Sequence, residues 1–147
     1  MPSPPASPPE VVTALMKGIS DGAWDGLHDW YADDAVVEYP FALPAPTRLQ
    51  GRQAIRDYFA LVAKSPLRLS LRDMVVHETA DPEVVVAEWT YDGQGAGGRT
   101  FEVANIQVTR VRAGRIVSSR DYHNHFVLTE AMGGLPRLLA TIDGGQI

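Results

Sequence analysis

The chain has 147 residues, 45% of them hydrophobic and 21% charged, which is the size and balance of one globular domain with a substantial core. Its net charge of −5 at pH 7 disfavours nucleic acid and anionic membrane surfaces as partners. With no cysteine, no apolar run of membrane-spanning length and no secretory signal pattern, the sequence reads as a cytoplasmic protein without disulfides or thiolate metal sites.

In chain order, residues 1–9 hold five prolines and read as a disordered lead-in, so the single domain is expected over 10–147. Ser7-Pro8-Pro9-Glu10 has the form of a capping box, and Val12, Leu15, Met16 and Ile19 then recur at helical spacing. A second short helix is expected over 23–31, with Trp24, Leu27 and Tyr31 on one face, ended by Ala32-Asp33-Asp34. Ala35 to Tyr39 reads as a strand. Residues 40–50 form an apolar, Pro-rich loop that suits either a lid over a cavity or a surface-packed segment. Gly51 to Lys64 is a helix, with Ile55, Tyr58, Phe59 and Val62 at helical spacing.

The period then changes to two. Strands are expected from Leu67 to about Glu78, Val84 to Tyr91, Thr100 to Arg112 and Ile116 to Phe126, joined as an antiparallel meander, with a short helix over Ala131 to Ala140. Helices segregated from such a sheet make an α+β domain.

The last strand ends in Arg120-Asp121-Tyr122-His123-Asn124-His125, an unbroken polar run at the end of a core strand. Pairing Arg112 with Arg115 across the Ala113-Gly114 turn sets Ile106 opposite Asp121 and Ala104 opposite His123. Asn105, Gln107 and Thr109 then fall on the other face. A carboxyl among apolar side chains is costly to ionise, and beside an imidazole it suits general acid–base chemistry. A bulge near Gly114 would slip this register by one, yet the two-residue spacing keeps Asp121 and His123 on a shared face. A solvated or ion-paired Asp is the competing reading. His28 and His77 read as structural or solvated. His123 and His125 with Asp121 on one strand make a poor metal ligand set, so no metal is expected.

Gly22-Ala23-Trp24-Asp25-Gly26-Leu27, Tyr31-Ala32-Asp33-Asp34-Ala35-Val36, Gly51-Arg52-Gln53-Ala54-Ile55 and the final hairpin Val111–Val117 with Arg120-Asp121-Tyr122 resemble SnoaL-like proteins of the nuclear transport factor 2 superfamily. The resemblance spans about residues 10–140. It implies an NTF2-like cone: a curved antiparallel sheet around about three helices, an internal pocket, and a homodimer. Relatives include polyketide cyclases, ketosteroid isomerases, epoxide hydrolases and phenazine-biosynthesis enzymes, none needing a metal or organic cofactor. Asp121 matches the last-strand acid that serves as general acid or base in cyclases and epoxide hydrolases, whereas His123 has no firm counterpart. The hydrolases carry an Arg and a second Asp on the strand where this chain has Glu88-Trp89-Thr90-Tyr91, which argues against epoxide hydrolysis.

The expected function is a cofactor-independent cyclase or isomerase acting on a hydrophobic carbonyl compound, polycyclic or terpenoid in type. Asp121 would move the proton, assisted by His123, with walls from Tyr39, Phe41, Phe59, Trp89, Tyr91 and Ile106. The alternative is a non-catalytic dimeric module that binds a small apolar ligand.

Overall fold

The computed structural model describes residues 3–144; the rest of the expected lead-in and C-terminal end lie outside the described residues. Helix α1 (Pro8–Ser20) starts inside the stretch expected to be disordered, because Ser7 caps it. Ser7 Oγ accepts from the Glu10 amide at 3.3 Å, and Glu10 Oε1 accepts from the Ser7 amide at 3.1 Å, so two otherwise unpaired N–H groups are satisfied reciprocally. Even Ala6 packs against the core. The buried stripe of α1 is Val11, Val12, Leu15 and Met16.

A 3-10 helix, Trp24–Trp30, runs straight into strand β1 (Tyr31–Tyr39). The acidic pair Asp33 and Asp34, read from sequence as a helix stop, lies instead inside β1. Both side chains are exposed while Tyr31 and Ala35 are buried, and the pairing with the neighbouring strand shifts between Tyr31 and Val36. The strand therefore kinks at the acids rather than beginning after them. Part of the expected 40–50 loop is also strand: β2 (Thr47–Gln50) pairs antiparallel with the end of β1. Helix α2 (Arg52–Lys64) then buries Ile55 and Phe59.

Strands β3 (Arg68–Glu78), β4 (Val84–Gln94), β5 (Thr100–Arg112) and β6 (Arg115–His123) form the expected meander, and β6 also pairs parallel with β1. The six-stranded sheet has the order β2-β1-β6-β5-β4-β3. It curves around the helices: α1 lies against β3, β4 and β5, while α2 covers β1 and the 3-10 helix. The last strand is shorter than expected. Asn124 Oδ1 accepts from the Val127 amide and caps helix α3 (His125–Ala131), so His125 and Phe126 are helical. A separate helix α4 (Leu135–Gly144) follows, in place of the single helix expected over 131–140. No helix among the described residues is long and apolar enough to cross a membrane.

The β5–β6 register decides what faces the core. Ala113 and Gly114 both have positive φ, 52° and 75°, which gives the two-residue turn that matches sheet twist. Arg112 pairs with Arg115 and Val111 with Ile116, but Arg110 then pairs with Ser118, leaving Val117 as a bulge. Beyond it the pairing is slipped by one, with Gln107 opposite Asp121, Asn105 opposite His123 and Ile106 opposite Tyr122. The inward stripe of β5 is Val103, Asn105, Gln107, Thr109 and Val111, all buried, and the slip turns Ser119, Asp121 and His123 to that same face. The expected apolar stripe of Ala104, Ile106 and Val108 faces the other way.

Candidate functional site

Ser119, Asp121 and His123 project from β6 into the hollow between sheet and helices, across from α1 and α2. The hollow contains a cavity of about 100 Å³. Asp121 is 7% exposed. The Ser119 hydroxyl donates to its Oδ1, the one hydrogen bond to this carboxyl among the described residues. No Lys or Arg among the described residues lines the cavity. Burial therefore raises the carboxyl to about 7, with Ser119 pulling the other way. An acid poised there is half ionised at neutral pH.

Phenols surround it. Tyr31 and Tyr39 come from β1, Tyr58 from α2 and Tyr91 from β4, and all four line the cavity. Burial raises each of them first, and the nearby Asp121 charge raises each further, so they stay protonated across the physiological range. The Tyr91 hydroxyl spends its donor on Met16 Sδ at 3.4 Å. The aromatic rings touch in series: Trp24–Phe59 at 6.1 Å, Phe59–Tyr58 at 5.9 Å, Tyr58–Tyr39 at 5.7 Å, Tyr39–His123 at 6.1 Å, His123–Trp89 at 6.0 Å and Trp89–Tyr91 at 5.7 Å. The result is an almost continuous aromatic wall.

Three nitrogens in this region are buried without a hydrogen-bond partner, Trp89 Nε1, His123 Nε2 and His125 Nε2. Burial, aided by its stacked neighbour His125, lowers His123 to about 4, so its ring is neutral at pH 7. A neutral imidazole cannot act there as a cationic acid, but it can offer or accept one hydrogen bond. Burying unpaired polar atoms costs stability, and a ligand that engages them would recover it. Gln107 Nε2 donates to Thr109 Oγ1 at 2.9 Å, and Asn105 Nδ2 to the Val103 carbonyl at 3.2 Å, so the polar stripe of β5 is held in place from within.

Comparison with known proteins matches a SnoaL-like domain over residues 12–119, well over half of the chain, ending two residues before Asp121. The chain belongs to the SnoaL-like family. It is 37% identical over 126 residues to the uncharacterized protein YesE of Bacillus subtilis, covering 84% of this chain and 82% of that one. It is 30% identical over 138 residues to an uncharacterized PhzA/B-like protein of Pseudomonas aeruginosa, covering 92% and 96%. Among solved structures, a Bacillus subtilis protein provisionally assigned as an isomerase superposes with a TM-score of 0.79 at 33% identity, covering 85% and 91%. The sheet wrapped around helices is thus a fold shared with that solved structure.

Within this SnoaL-like cone the structure brings together Asp121, His123, Tyr39, Phe59, Trp89 and Tyr91, as their sequence positions suggested. It leaves Phe41 and Ile106 outside the cavity that holds Asp121. Phe41 is 63% exposed and packs on Tyr122 with ring centroids 5.2 Å apart, so its loop covers the outer face of the sheet instead of the cavity. Ile106 is 42% exposed on that same outer face, because the unbroken alternation of β5 buries Val103, Asn105, Gln107, Thr109 and Val111 instead. Both border an open groove that shares Trp89, Asn105 and His123 with the cavity, and neither belongs to the wall around Asp121. Sequence reasoning missed Tyr31, Tyr58, Ser119 and Gln107. Tyr58 had a usable signal in its three-residue spacing from Ile55. Tyr31 reads from sequence as helical, Ser119 had a signal in its two-residue spacing from Asp121, and Gln107 could not be placed beside Asp121 without the bulge.

Proposed function

We propose that this protein is a cofactor-independent acid–base enzyme that moves a proton at the carbon next to a carbonyl, with isomerisation or intramolecular cyclisation as the outcome. The observation that carries this reading is Asp121: a buried carboxyl without a cationic partner, raised to about 7, at the floor of an aromatic cavity. Ionised, it is a base able to take a proton from a carbon acid. Once protonated, it can return that proton at another carbon, which shifts a double bond. Alternatively, the carbanion adds to a second carbonyl of the same molecule, closing a ring. Negative charge developing on the carbonyl oxygen needs donors that are already in place. The protonated phenols, the Trp89 indole N–H and neutral His123 supply that chemistry, which makes His123 a hydrogen-bonding group rather than a proton carrier.

The size of the cavity limits the substrate. About 100 Å³ holds roughly three water molecules, whereas drug-sized ligands occupy about 300–1,000 Å³. The polycyclic substrates considered from sequence do not fit this closed form, and a small ketone does. Proton exchange at the α-carbon of butanone in D2O, followed by NMR, is the test. Asp121→Asn keeps the shape and removes the base, so the exchange rate above buffer is expected to fall by about 10²–10⁴-fold. Wild-type exchange should rise with pH through about 7 as Asp121 ionises. Equal rates in wild type and Asp121→Asn would contradict the reading.

A further inference from the structure

We infer that the cavity is also a receptor for a small organic cation, a methylated ammonium group held between the aromatic wall and the Asp121 carboxylate. Three observations on this chain converge. The cavity is walled by Tyr31, Tyr39, Tyr58 and Tyr91, joined through Phe59 and Trp89, and such rings present electron-rich faces that attract cations. Its floor is a carboxyl with no Lys or Arg among the lining residues, so the negative charge has no partner from the protein itself. Its volume of about 100 Å³ suits a compact tetraalkylated nitrogen rather than an extended apolar molecule.

A purely apolar guest would leave the carboxyl uncompensated, and a lone ionised carboxylate is costly to enclose. A cation without directional donors is the better match. The carboxylate supplies countercharge, and the rings take the place of water around the methyl groups. The inference is independent of proton transfer: a cation held at Asp121 is a ligand whether or not a C–H bond is ever broken.

The groups facing Asp121 make its pH dependence simple. From β1 come Tyr31 and Tyr39, from α2 Tyr58, and from β4 Tyr91, all with raised pKa and uncharged between pH 5 and pH 8. On β6 itself, His123 is held to about 4, and beyond it on α3 His125 is also lowered. The lining residues of α1, β3 and β5, including Met16, Leu69, Asn105 and Gln107, carry no ionisable group. Among the residues that line the cavity, Asp121 alone therefore titrates in that window.

The probe is tetramethylammonium chloride, with tert-butanol as a neutral analogue of similar shape and sodium chloride to match ionic strength. Binding to the whole protein is read by calorimetry and by NMR at pH 5 and pH 8. A cation that binds only the ionised carboxyl should bind about 100-fold tighter at pH 8 than at pH 5, following the ionised fraction. Asp121→Asn should abolish that pH dependence and weaken binding at pH 8. Tyr58→Leu should weaken the cation about tenfold while sparing tert-butanol. The inference is overturned if tetramethylammonium binds no tighter than tert-butanol at pH 8, or binds equally to wild type and Asp121→Asn. Neither result depends on ketone exchange, so the two readings can fail separately.

Discussion

Replacing Asp121 with Asn should stabilise the protein, and more so as the pH rises. In the folded chain the carboxyl titrates at about 7, against about 3.9 when exposed in the unfolded chain. Below both values it is protonated in either state and costs nothing extra. Between them the folded chain holds a proton that the unfolded chain has released, so stability falls as pH rises. Above about 7 the full cost is present. Three pKa units at about 1.4 kcal/mol each make it about 4 kcal/mol, a large share of the 5–15 kcal/mol that keeps a typical domain folded. His123 works in the opposite direction. Its folded pKa of about 4 lies below its usual value, so its neutral burial adds stability as pH rises from about 4 to about 6.5. In wild type the two trends oppose each other, and the raw pH profile hides both. The difference between Asp121→Asn and wild type isolates the carboxyl, because His123 is common to both. Urea denaturation at half-unit steps from pH 4 to pH 8 should show the variant gaining about 4 kcal/mol over that range, most of it before pH 7. A difference that stays flat across the range would refute the reasoning, since an exposed or ion-paired carboxyl has no such cost.

Two further substitutions probe the supports of the site. Ser119→Ala removes the hydroxyl that favours the ionised carboxyl, so the Asp121 pKa should rise further and the basic limb of the ketone-exchange profile should move to higher pH. An unmoved limb would show that the hydroxyl does not act on the carboxyl. Gly95→Ala would place a Cβ 2.3 Å from the Ala131 carbonyl oxygen, a backbone atom that cannot swing aside. Destabilisation of about 1–3 kcal/mol in denaturant is expected, with earlier hydrogen exchange in α3, which packs at that turn.

Much of the framework was legible in the sequence. The capping box at Ser7, the spacing of Ile55 and Phe59, and the alternation along β3 to β6 each reflect a local rule, and each element formed where its rule applied. The facing of β5 was not legible. Its inward side chains Asn105, Gln107 and Thr109 are the more polar set, and its outward Ala104, Ile106 and Val108 the more apolar, so periodicity assigns the faces the wrong way round. One bulged residue, Val117, then turns the rest of β6 over so that Asp121 and His123 join this polar inward set, and nothing about a valine in a strand marks it as a bulge. Asp121 and His123 face the core as expected because their two-residue spacing keeps them together and the bulge carries both to the inward face. Phe41 and Ile106 did not, since their placement depended on where a loop crosses and on which way β5 turns. Asn124 carried its own signal as a helix cap, but the β-like run leading into it concealed the helix that follows.

The central claim is that the Asp121 carboxyl is enclosed and poised, and its own titration tests this most directly. With the aspartates labelled with 13C at Cγ and the Asp121 resonance assigned by its loss in Asp121→Asn, the chemical shift can be followed from pH 3 to pH 9. The structure predicts an inflection at about 7. An inflection at about 4, the ordinary value of a water-exposed aspartate, would contradict the account.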